Sequence, residues 1–272
     1  MIKFGKCCSL ADAPQAAADG FDYFETSVAL ALMPDKGESA WQENKLRLRD
    51  IELPLYACNG FLPGTMRLTG PEARPEQALD YAECACRRAD EIGCKIIVFG
   101  SGGARNVPGD FANNEGRPDV ERGRDQFAEF CAALAKRISG CRVTVVIEPL
   151  RPNESNIINY VWQAMQIVKD VDSPRLEVLA DLFHMIHGRE TAGSLVAAGP
   201  HLRHCHIAMR GTRAYPGHGP AFEFAPYFEA LDKIGYSGGI SCECGWPLRE
   251  GQTISDAHRL ALTTLRELSG QK

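Results

Sequence analysis

Hydrophobic residues recur in two rhythms along this chain. Eight short apolar runs lie at 2–8, 21–28, 53–59, 95–101, 142–149, 176–183, 202–208 and 238–244. Several, such as KIIVFGS and RVTVVIEP, are continuously apolar rather than strictly alternating. That is the pattern of parallel strands covered on the outside by helices. Segments between the runs carry apolar residues three or four positions apart. In 121–139, Phe127, Phe130, Cys131, Leu134 and Ile138 fall on one helical stripe, and Gly140 follows as a terminating glycine. In 75–92 the stripe is Leu79, Ala82, Cys86 and Ala89, ending at Gly93; in 155–171 it is Ile158, Val161, Met165 and Val168. Further helices are predicted at 10–19, 38–49, 190–198, 222–234 and 253–268.

Strand and helix thus alternate eight times. Right-handed crossovers repeated eight times close into a (β/α)8 TIM barrel, here expected as a single α/β domain over 1–272. The competing architecture is an open doubly wound sheet, but no GxGxxG fingerprint follows the first strand. The glycine-rich stretches GSGGARNVPGD (100–110) and RGTRAYPGHG (210–219) follow strands four and seven and read as long loops at the catalytic rim. No repeat, low-complexity tract or linker interrupts the pattern.

Composition narrows the function classes. Of 272 residues, 44% are hydrophobic and 24% charged, enough for a sizeable core, and the net charge of −5 argues against general polyanion binding. No apolar run approaches the ~20 residues of a membrane span. The N-terminal MIKFGKCCSLADAP lacks the apolar core of a secretory signal, so a cytoplasmic protein is expected. Eleven cysteines occur without a CxxC pair, mostly in apolar patterns, and read as reduced, buried thiols.

The candidate chemistry sits at the downstream ends of strands five to eight. Glu148 ends VTVVIEP, Asp181 follows LEVLA, His206 lies in RHCHIA and Glu243 in GISCECG. Parallel strands of a barrel deliver such residues to one rim. Three carboxylates and an imidazole suit a divalent cation such as Mn²⁺ or Mg²⁺, and also admit Zn²⁺ or Co²⁺. Any one such carboxylate would be unremarkable as a solvated loop residue or helix cap; three of them with an imidazole on four consecutive strands point to a metal site. His184, three residues after Asp181, is placed to hydrogen-bond a substrate oxygen or to be structural. Arg210 and Arg213 follow His206 and read as anion or hydroxyl binders or as solvated loop cations. Glu154, six residues beyond Glu148, reads as a helix cap or a substrate contact. His187, His201, His204 and His218 have weaker claims. His204 shares a strand face with His206, where it could support it from behind.

These stretches, IEPLRPNESNIINYVWQA, LADLFHM, HCHIAMRGTRAYPGHG and IGYSGGISCECGW, with NGFLPG and VFGSGGAR beside them, resemble the xylose isomerase-like barrel superfamily of sugar isomerases and epimerases, most of all its ketose 3-epimerase branch. The resemblance implies that Glu148, Asp181, His206 and Glu243 ligate one divalent ion, typically Mn²⁺, and that Glu148 and Glu243 transfer protons through a metal-stabilised enediolate of a keto sugar. It implies substrate contacts from Glu154, His184 and Arg213, although the spacing from His206 to Arg213 departs by one from the family pattern and Arg210 is the rival. It implies a small-molecule sugar substrate and a homo-oligomer, dimer or tetramer. A lyase or dehydratase acting on an oxidised sugar or C-glycoside is the alternative. An endonuclease IV-like repair enzyme would need more histidines and a basic face, and a non-catalytic sugar-binding subunit would not need all four ligand types.

Overall fold

The computed structural model describes residues 1–113, 116 and 118–271. Its eight strands are β1 (Lys3–Cys7), β2 (Tyr23–Ser27), β3 (Leu55–Asn59), β4 (Ile96–Phe99), β5 (Thr144–Ile147), β6 (Leu176–Asp181), β7 (Leu202–Ile207) and β8 (Gly239–Cys242). Each pairs in parallel with the next, and β8 returns to β1 with Lys3 opposite Gly239, so the sheet closes into a barrel. Among the described residues no helix is long and apolar enough to cross a membrane.

Helices cover the outside. The long ones are α3 (Glu38–Arg49), α4 (Pro75–Ile92), α6 (Val120–Arg137), α7 (Val161–Val171) and α11 (Ile254–Ser269); shorter ones are α1 (Ala13–Ala18), α2 (Val28–Ala31), α5 (Gly102–Arg105), α8 (Leu182–His187), α9 (Gly193–Ala198) and α10 (Ala225–Lys233). Proline in the first turn and Gly93 at φ +77° bound α4, whose buried stripe includes Leu79, Ala82, Cys86 and Ala89 as predicted. Thr253 and Asp256 cap α11 reciprocally.

Three local expectations are corrected. The run 176–183 ends as a strand at Asp181, and the polar side chain of that residue caps a short helix, so His184 stands on α8. Residues 155–160 are not helical: Asn159 Nδ2 donates to the carbonyls of Leu150 and Ser155, and Ile158 takes φ +53°. Side-chain bonds to the backbone here outcompete the helix that the apolar spacing favours. Gly140 does not terminate α6, which ends at Arg137 with Ile138 as its cap residue.

The barrel interior is divided. Ala57, Ile96, Val98, Val146 and Leu179 form a closed apolar cluster on one side. On the other side Tyr23 lies across the lumen, and its ring occupies the space a side chain at residue 5 would need: a Cβ on Gly5 would lie 2.0 Å from Tyr23 Cε2. Tyr23 Oη and Ser241 Oγ are 3.0 Å apart, and His204 and Glu25 complete this polar half.

Candidate metal centre and surrounding site

Alternate residues of a strand share a face. Glu148 therefore stands above Val146, Asp181 above Leu179, His206 above His204 and Glu243 above Ser241, all at the downstream rim. The structure brings the four together, one donor atom from each lying within 4.8 Å of the others. His206 is central: its Nδ1 is 3.0 Å from Glu148 Oε1 and 3.6 Å from Glu243 Oε2. Glu148 has its place because residue 100 is glycine; a Cβ there would lie 2.3 Å from Glu148 Oε2. Asp181 Oδ1 accepts from the Phe183 N–H at 2.8 Å, which fixes the carboxylate while capping α8.

The charges are crowded. Burial, then the neighbouring Glu148 and Glu243 carboxylates, push Asp181 up to about 7. Burial also raises Glu148. For Glu243 burial is outweighed by His206 and Arg213, which hold it below the usual carboxylate range. His206 is raised well above an ordinary histidine, because Glu25, Glu243 and Glu148 overcome its burial. A desolvated pocket with three carboxylates and one imidazole is short of positive charge. Hard oxygen donors with one nitrogen suit a divalent cation, so the residues fit such an ion.

Sequence reasoning missed Glu25. It is fully buried in β2, and its Oε1 accepts from His206 Nε2 at 3.0 Å. Its Oε2 lies 2.9 Å from His204 Nε2 and accepts from Ser241 Oγ at 2.7 Å. Burial opposes the ionised form, but His206 and His204 prevail and hold Glu25 far below the usual range. The available signal was a carboxylate inside the apolar run FDYFETSV, two residues after Tyr23 and so on the lumen face. Asn59 Nδ2 also reaches Glu243 Oε1, at 3.3 Å.

Outside the quartet lies a second ring of polar groups. Arg213, held at φ +49°, donates through Nη2 to Glu243 Oε2 at 2.7 Å and through Nη1 to Glu154 Oε1 at 3.4 Å. Arg210 is exposed, and its backbone carbonyl lies 2.9 Å from His187 Nε2, so Arg213 is the arginine that reaches the quartet. Glu154 caps no helix; it sits in the 151–154 turn between Arg151 and Arg213. His184 accepts the Arg151 N–H at its Nδ1, 3.4 Å away, which puts the ring proton on Nε2. That Nε2 is buried without a hydrogen-bond partner among the described residues, 3.3 Å from Asp181 Oδ2. Burial and then Arg213 lower His184 to about 3, so the ring is neutral.

A family model described as xylose isomerase-like TIM barrel matches residues 13–266. A probable ketose 3-epimerase of Synechocystis sp. is 28% identical over 190 residues, 70% of this chain and 63% of that protein, so the match spans under two thirds of its length. An L-ribulose 3-epimerase of Mesorhizobium japonicum is 30% identical over 228 residues, 82% of this chain and 71% of that one. Among solved structures, an apo 3-keto-D-glucoside 4-epimerase from E. coli superposes with a TM-score of 0.80 at 22% identity, over 98% of this chain and 100% of that one.

Proposed function

Because the chain belongs to the xylose isomerase-like TIM barrel family, we propose that it is a divalent-metal-dependent isomerase or epimerase of a keto sugar. The observation that carries this reading is the convergence of Glu148, Asp181, His206 and Glu243 on one point of the rim. These four would hold the cation, with Mn²⁺ as its first identity and Mg²⁺, Co²⁺ or Zn²⁺ as others. When bound, the ion would supply Lewis-acid polarisation of a carbonyl and its neighbouring hydroxyl.

The side chains do the rest. One of Glu148 and Glu243 removes the proton from the carbon beside the carbonyl, and the other returns one to the opposite face, giving the epimer. Return to the former carbonyl carbon gives the aldose–ketose isomer instead. His184 offers its unpartnered Nε2–H to a substrate oxygen, and Glu154 and Arg213 orient hydroxyls. The reading places the protein in the cytoplasm, where its eleven cysteines stay reduced.

Proton exchange tests it directly. In heavy water with Mn²⁺ and a panel of keto sugars, NMR should reveal deuterium uptake and a product of unchanged mass. Glu148→Gln, Glu243→Gln and chelation should each abolish both signals. A product lighter by water, or cleaved, would move the assignment to a lyase. Full turnover after exhaustive chelation would reject the scheme.

A further inference from the structure

We infer that the sugar this site takes carries an acidic group at its far end, read by Arg151. The inference rests on the keto-sugar reading above and adds the substrate's charge. From the quartet a chain of contacts leads to Arg151: Glu243 Oε2 to Arg213 Nη2 at 2.7 Å, Arg213 Nη1 to Glu154 Oε1 at 3.4 Å, and the same Glu154 oxygen to Arg151 Nε at 2.8 Å. Arg151 is thus the third residue along this chain of contacts from Glu243, with Arg213 and Glu154 between them.

Its guanidinium is positioned but not used up. The Arg151 carbon Cζ lies 4.9 Å from the Phe183 ring centre, and Arg213 Cζ lies 4.8 Å from the same ring. Ring contact and the Nε bond fix the plane of Arg151. Among the described residues its two Nη groups have no hydrogen-bond or ion-pair partner, and the side chain is 28% exposed. One Glu154 oxygen serves both guanidiniums, and Arg213 is further paired with Glu243 Oε2, so Arg151 is the one of the two whose Nη donors stay free among the described residues. A planar fork with free, oriented donors matches a carboxylate or phosphate better than a single hydroxyl. The backbone of Arg151 also donates to His184, which ties the fork to the neutral imidazole at the inner site. A terminal phosphate and a terminal carboxylate share this chemistry.

The test compares kcat/KM for neutral ketoses, the same ketoses phosphorylated at the terminal carbon, and ketoses oxidised there to the carboxylate, using the Mn²⁺-loaded protein. One acidic arm should exceed the neutral sugars at least tenfold, and whichever arm does so identifies the group. In Arg151→Gln that preference should collapse at least tenfold, mainly through KM. Arg151→Lys, which keeps the charge but not the fork, should restore part of it. Equilibrium binding by calorimetry gives a second readout: the preferred acid should bind the wild type at least tenfold more tightly than Arg151→Gln. Neutral sugars preferred by the wild type, or an equal loss for neutral and acidic sugars in Arg151→Gln, would overturn the inference. If no keto compound exchanges a proton yet the acid still binds through Arg151, the epimerase reading fails while the anion site stands.

Discussion

Gly100 and Glu25 are the two positions where one atom more or one charge less should be felt at the quartet. Gly100 is not in the left-handed region, so its backbone accepts alanine, but the added carbon would lie 2.3 Å from Glu148 Oε2 and must displace it. Gly100→Ala is expected to keep its thermal midpoint within a few degrees and to lose at least about tenfold in Mn²⁺ affinity by calorimetry, since a ligand moved by an ångström no longer closes the site. Glu25 presents a charged acceptor to the far side of His206, the arrangement that orients a ligating imidazole and raises its basicity. Glu25→Gln should weaken Mn²⁺ binding by about 10–100-fold, whereas an unchanged affinity would reduce Glu25 to a packing role. The quartet was legible because its members recur toward the downstream ends of four consecutive apolar runs. Glu25 was not, because it lies within its run, and its partners His204, His206 and Ser241 come from strands about 180 residues or more away.

At the scale of elements, periodicity located every strand of the barrel and the full extents of α3 and α4. Apart from the end of α6, it failed where side chains bond the backbone: at 155–160, and at Asp181, where a strand passes into a helix without a loop. Those failures border the site, as expected where local preference yields to function. The loop after β5 is held by Arg105 of α5, which is fully buried and donates to Ser155 Oγ, the Phe99 carbonyl and the Ile158 carbonyl, each at 3.2 Å. Burial lowers its guanidinium to about 10, still charged at neutral pH. Arg105→Met strands these acceptors and should cost about 3 kcal/mol by urea unfolding. It should also raise KM, because Glu154 belongs to the loop that is released.

The closed barrel makes the quartet a stability element of the whole molecule. Asp181 is raised on folding from 3.8 to about 7. A group raised in this way favours the folded state at low pH and loses that contribution as pH climbs through the folded value. Without a cation, Asp181→Asn should therefore raise the thermal midpoint, by more near about pH 8 than near about pH 5. Mn²⁺ at roughly a hundred times its Kd should stabilise the wild type by about 2.7 kcal/mol, seen as a midpoint shift that Asp181→Asn largely abolishes. A wild-type midpoint indifferent to divalent ions would contradict a resident cation.

The divided lumen also bears on how this chain can change. Tyr23, Glu25, His204 and Ser241 bond one another while fully buried, and His204 Nδ1 already has no hydrogen-bond partner among the described residues. Substitutions there should be strongly non-additive, each alone more harmful than several made together. Descendants of this sequence would then be expected to keep Glu25, which His206 also needs, and to change Tyr23, His204 and Ser241 together rather than singly.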